Sequence, residues 1–103
     1  AYPKTLNELS PKFMPVIVED PVDKKPYFYS IYYSPEGKID SYHLGANIEN
    51  LNLLMAIGDK DCDSQAAVNC GFTSGWEQST AFDGSDNQGC GGEKNRFCYD
   101  VIP

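Results

Sequence analysis

Only one histidine occurs in the 103 residues, and no cysteine occurs before Cys62. A lone histidine, His43, leaves little room for a histidine-based metal site or a proton relay. The longest apolar run, Leu53 to Ile57, is far shorter than the ~20 residues a membrane-spanning helix needs. No Asn-x-Ser/Thr sequon is present, so N-glycosylation is not expected. Bases are scarce, with eight Lys and Arg against fifteen Asp and Glu, for a net charge of −7. Such a surface repels phosphate backbones and anionic lipid, which argues against nucleic acid or a membrane as partner. Residues 59–103 hold eight acids and three bases, whereas residues 1–58 hold seven and five, so the acidity is concentrated in the second part.

That second part also holds all four cysteines, Cys62, Cys70, Cys90 and Cys98. The intervening gaps are seven, nineteen and seven residues. An even cysteine count in a short chain reads as a disulfide framework and points to an oxidising, extracellular compartment. Ala1-Tyr2-Pro3 is compatible with the start of a processed secreted chain. Zinc is disfavoured, because structural sites usually place paired ligands about two to four residues apart. No cofactor is expected.

The chain has the length of one domain, 1–103. Within it, 1–12 reads as a surface arm with Pro3 and Pro11 and no clear period. Residues 13–58 read as an aromatic hairpin and a helix, and 59–103 as the disulfide-stapled part. Phe13 to Val18 is apolar and β-branched, hence a strand. Tyr27, Phe28, Tyr29, Tyr32 and Tyr33 fall within seven residues, followed by Ser34-Pro35-Glu36-Gly37. That tetrapeptide suits a type I turn closed by a glycine at positive φ, with Lys38 to Leu44 returning as the partner strand. Asn47 can cap a helix over 48–58, although a buried strand over 51–57 is the alternative. A second short helix is expected from Ser64 to Asn69. Thr80-Ala81-Phe82 suggests a brief strand, and Arg96 to Ile102 a closing one. The expected fold class is α+β: mainly antiparallel β with one or two short helices, in a small two-disulfide secreted domain.

A helix between Cys62 and Cys70 would hold them roughly 12 Å apart, beyond the ~7 Å limit for a bridge. Two long-range pairings then remain. The nested one, Cys62 with Cys98 and Cys70 with Cys90, is preferred to the crossed one because antiparallel segments bring symmetric positions together.

Three kinds of site are conceivable. A tyrosine-rich strand supplies rigid contact area at low entropic cost, so Tyr27, Tyr29, Tyr32 and Tyr33 are the binding candidates. A strand has two faces, and in a two-layer domain only one can point into the core. A hydrolase would need His43 with a carboxylate such as Glu36, Glu49 or Glu77, and Arg96 to steady an oxyanion. No nucleophile-elbow sequence accompanies them. Asp59, Asp61 and Asp63 stand at alternate positions, as in calcium loops, but Ser64 and Cys70 occupy the places of the loop glycine and the bidentate glutamate. The expectation is therefore a secreted, non-enzymatic binding protein of effector, toxin-like or inhibitor type, acting on an extracellular or host protein. A small secreted nuclease or glycosidase and a calcium-stabilised module are the alternatives.

Overall fold

The aromatic segment forms a strand because its alternate residues meet two different environments. In the computed structural model, which describes residues 2–10, 20, 24–49, 59–72, 74–85 and 88–103, three antiparallel strands run in the order β1-β2-β3. They are β1 (Phe28–Tyr33), β2 (Ile39–Ile48) and β3 (Phe97–Val101). The β1–β2 turn is the expected one. Gly37 N–H donates to Ser34 O at 2.8 Å, Ser34 N–H to Lys38 O at 2.8 Å, and Gly37 takes φ +81°, which a side chain would resist.

Register sorts the residues. Phe28, Ser30 and Tyr32 lie opposite Gly45, His43 and Ser41, while Gly45 and Asn47 lie opposite Asp100 and Cys98 of β3. This inner face packs on the disulfide-stapled part. Its core is divided. Tyr32, Trp76 and the Cys62–Cys70 bridge form one apolar cluster, and Phe82 with the Cys90–Cys98 bridge forms the other, with Phe28 against it. The outer face carries Tyr29, Ile31, Tyr42 and Leu44. The N-terminal arm lies over it: Tyr2 meets Tyr42 edge-on at 5.0 Å, and the Tyr29 hydroxyl donates to Pro3 O at 2.7 Å. The arm also makes a 3-10 turn, Leu6–Leu9, where the Glu8 carboxylate accepts Thr5 N–H at 2.7 Å. The free edge of β1 is sealed by the segment around Trp76, through Tyr33 N–H to Gly75 O and Glu77 N–H to Ile31 O.

The mainly β character stands, but the α+β label does not, since the described residues contain no α-helix. Asn47 is not a helix cap; it and Ile48 continue β2. Glu49 follows as a bend, and residues 50–58 of the expected helix, with the expected strand at 13–18, lie outside the described residues. Residues 80–82 form no ladder strand. Between Cys62 and Cys70 the chain makes a closed turn. Asp63 and Val68 exchange both backbone hydrogen bonds, at 2.9 and 3.1 Å, and Ala67 and Asn69 take positive φ, which no right-handed helix allows.

The nested pairing is therefore replaced by two local bridges. Cys62 pairs with Cys70 at a Cα separation of 4.9 Å, and Cys90 with Cys98 at 4.7 Å. The argument for long-range pairing rested on the helix. Without its rise, residues eight apart in sequence come within bonding reach.

Candidate functional site

β2 carries His43 into the centre of the molecule, where side chains from three other segments meet the ring. His43 Nδ1 lies 2.9 Å from Ser64 Oγ, and Nε2 lies 2.6 Å from Asp100 Oδ2. An ionised carboxylate only accepts, so the Nε2–H donates to Asp100. The ring stacks on Phe82 at 3.8 Å and 6°. His43, Ser64 and Asp100 are each 0% exposed.

Serine, histidine and aspartate in hydrogen-bonded series is the grouping of a serine hydrolase, but this one is closed. Ser64 Oγ accepts Phe82 N–H at 3.1 Å and lies 3.2 Å from Phe82 O, so it is bound on every side. No surface reaches it. The trio acts as a polar clamp: it holds the 62–64 segment, the Phe82 backbone and β3 onto β2. A buried network of this kind specifies one arrangement because each donor has one fitting acceptor.

Asp100 is the hub of that clamp. Its carboxylate takes Asp61 N–H at 2.9 Å on Oδ1, and Cys62 N–H at 2.8 Å and His43 on Oδ2. Burial pushes this carboxyl up, but hydrogen bonds from His43 and Asp59, the attraction of His43 and the Cys62 N–H hold it below the usual range. Asp59 is placed against it. Asp59 Oδ1 accepts Asp100 N–H at 3.0 Å, while Asp59 Oδ2 is buried with no hydrogen-bond donor among the described residues. Burial first, and the hydrogen bond to the Asp100 side chain second, push the Asp59 carboxyl up to about 8.

The other expected catalytic groups stay apart. Glu36 sits exposed at the hairpin tip. The Glu77 carboxylate accepts the Ser79 and Thr80 hydroxyls at 3.2 and 3.1 Å. Arg96 and Glu49 do meet, at 2.6 Å, but Arg96 also holds Asp20 at 2.9 Å. The guanidinium thus ties the end of β2 to residue 20 instead of facing an oxyanion. Of the three acids with calcium-like spacing, Asp59 and Asp61 gather with Asp100, their oxygens within 4.8 Å of one another. Asp63 instead closes the disulfide turn, its Oδ1 accepting Gln65 N–H at 3.0 Å.

The tyrosines divide by face. Tyr32 is a core residue, 9% exposed, stacked on Phe72 at 3.9 Å and tilted against Trp76. Its place among the binding candidates is corrected accordingly. Tyr33 is half-buried next to a register shift in the β1–β2 ladder. Tyr27 and Tyr29 border open hollows. One, of about 550 Å³, is lined by Phe28, Tyr29, Gln65, Thr80, Asp83 and Gln88 among others. A second, of about 200 Å³, is lined by Tyr27, Tyr29, Asn7, Glu77 and Thr80 among others. Tyr29 and Thr80 border both, so the hollows adjoin along one side of the hairpin. Burial, with the nearby Tyr42 and Glu8, pushes the Tyr29 hydroxyl up to about 12, so it stays protonated and keeps donating to Pro3.

Ser64 and Asp100 escaped the sequence reading. Asp100 carried a legible signal: an acid two residues after Cys98 in a strand shares its inward face. Ser64 carried none. Comparison with protein-family models, with curated proteins and with solved structures returns no match.

Proposed function

We propose that this chain is a secreted, non-enzymatic binding protein of effector, toxin-like or inhibitor type, gripping an extracellular or host protein along the cleft beside Tyr27 and Tyr29. The observation that carries this reading is the pair of adjoining hollows on the aromatic hairpin, bordered by rings, amides and hydroxyls. Rings give contact area and the amides and hydroxyls give orientation, the division of labour found in adaptable protein-binding surfaces. The Cys90–Cys98 bridge, whose Cys90 lines the larger hollow, and a tyrosine anchored by its hydroxyl make the cleft walls rigid, which lowers the ordering cost of association. The hydrolase alternative is disfavoured by the sealing of His43, whose two ring nitrogens face Ser64 and Asp100.

The test is selection of displayed random peptides on the folded protein, followed by binding to Thr80→Trp and Tyr27→Ala variants. Thr80→Trp fills the junction of the two hollows, and Tyr27→Ala removes a wall. Enriched peptides that lose at least tenfold in affinity on either variant support the reading. Peptides that bind both variants as well as the parent protein sink it.

A further inference from the structure

The Asp59–Asp100 contact is the least ordinary feature of the molecule outside the proposed cleft. Two carboxyl groups face each other at the point where the chain enters the first disulfide loop. Four links join this stretch to Asp100: the Asp100 N–H on Asp59 Oδ1, Lys60 N–H on Asp100 O, and the Asp61 and Cys62 N–H groups on the Asp100 carboxylate. The fifth position is anomalous. Asp59 Oδ2 is fully buried, and among the described residues no donor reaches it. A buried carboxylate oxygen without a donor is costly, and two unshielded carboxylates in contact repel.

Lone-pair accounting shows what resolves the conflict. Asp100 Oδ2 already takes two donors, His43 and Cys62, and Oδ1 takes one, Asp61. One acceptor site on Asp100 remains for a proton donor. The groups around Asp59 are few: Asp100 of β3, with His43 of β2 on its far side, and Asp61 and the exposed Lys60 on its own segment. The 82–84 stretch brings only the Gly84 backbone against the Asp100 carboxylate, where a Cβ would collide with it. Among the described residues, Lys60 is exposed and the His43 ring reaches Asp100 alone, so no Lys or Arg side chain is bonded to either acid.

We infer that Asp59 is protonated in the folded protein and that its O–H donates to Asp100 in a carboxyl–carboxylate hydrogen bond, forming a latch that acid holds and alkali releases. The proton sits on the otherwise orphaned Oδ2, so one hydrogen bond satisfies both anomalies. When it leaves, two adjacent charges push residues 59–62 away from β3 and loosen the mouth of the Cys62–Cys70 loop. The sign follows from linkage. Asp59 ordinarily titrates near 3.8 and is raised to about 8 in the fold. Its stabilising effect is complete below the ordinary value, declines across the interval and is gone once pH passes the raised value.

The experiment compares chemical denaturation of the wild-type protein and Asp59→Asn from pH 4.5 to 9, with chelator and with millimolar calcium chloride. Asparagine keeps the acceptor for Asp100 N–H and offers a permanent N–H in place of the titrating O–H. Relative to the variant, the wild-type unfolding constant should rise by up to about tenfold per pH unit between 4.5 and 8, as one bound proton requires. At pH 9 the variant should be the more stable protein. Parallel pH curves, or a variant weaker at every pH, overturn the latch. A calcium-induced stabilisation of the wild type at pH 8 that Asp59→Asn abolishes also overturns it, in favour of a cation site. A wild-type measurement stands beside these: the Asp59 carboxyl carbon, followed by NMR, should titrate near 8, and a midpoint near 4 refutes the proposal.

Discussion

The two disulfide loops are twins in sequence and opposites in construction. Each bridge spans a sequence separation of eight, and each buries its sulfurs in an apolar cluster. Around the Cys62–Cys70 loop the ties are buried and converge on the Asp100 carboxylate, with His43, Ser64 and Asp59 around it. Around the Cys90–Cys98 loop they are partly ionic and more exposed: Arg96, inside the loop, donates to Asn47 O at 3.2 Å and pairs with Glu49 and Asp20, and the rest are neutral. Asn47 Oδ1 accepts Cys90 N–H at 2.6 Å, the loop turns back through Gly92 N–H to Gly89 O, and Cys98 is itself part of β3. The covalent constraint is the same in both, because loop entropy depends on loop length alone. What differs is where the charge lies: the first loop's hold converges on the fully buried Asp100, the second's on Arg96 and the exposed Glu49, so the latch inferred for Asp59 would make the first loop the one that titrates near neutral pH.

The largest effect expected from breaking this contrast is at its hub. Asp100→Ala should cost about 3–5 kcal/mol, because Asp61 N–H, Cys62 N–H and His43 Nε2–H all lose their acceptor and each stranded buried donor costs about 1–3 kcal/mol. Denaturant melts at pH 6 would measure it, and a loss below about 1 kcal/mol would show the clamp to be marginal. Next come the bridges themselves. A loop this short yields about 2.5 kcal/mol in the chain-entropy model. Replacing Cys90 and Cys98 by alanine should cost about that amount, and replacing Cys62 and Cys70 should cost more, because freeing that loop strains the two backbone N–H bonds that Asp61 and Cys62 make to the buried Asp100 carboxylate, whereas the second loop makes one such bond to a neutral amide. Equal losses for the two double variants would dissolve the contrast. The second loop's side-chain tie is weaker: Asn47→Ala should remove about 1–3 kcal/mol by stranding Cys90 N–H, with no dependence on pH between 5 and 9, as paired melts would show. The smallest effect lies on the outer face. Tyr29→Phe removes only the hydroxyl bond to Pro3 O and should cost about 1 kcal/mol. It should also speed hydrogen exchange in residues 2–10 while leaving both disulfide loops unchanged.

The contrast also marks what could be read in advance. The Tyr27–Tyr33 hairpin was legible because alternation, proline and glycine act over four to eight neighbouring residues, the range over which sequence controls backbone geometry. The closing strand through Phe97–Val101 was legible for the same reason. The loop from Ser64 to Asn69 was misread because a serine followed by small and polar residues suits a helix as well as a turn. Residues distant in sequence decide the matter there. Asp63 pairs with Asp83 as well as Val68, and Ser64 is held by Phe82 and His43. With those partners the turn is favoured, and positive φ at Ala67 and Asn69 is the cost. The local disulfides followed from that turn and could not be deduced before it.

By itself, then, the sequence determined the two-bridge framework, the acidic surface and a strand with two aromatic faces, since composition and short-range periodicity settle these. It did not say which face would be core. Tertiary structure placed Phe28 and Tyr32 against the sulfur clusters and Tyr29 under the N-terminal arm. It also drew His43, Ser64 and Asp100 together from separations of 21 and 57 residues. Hydrogen bonds and carboxyl protonation depend on distances of about 3 Å, and contacts across such stretches of chain exist only once the strands have paired.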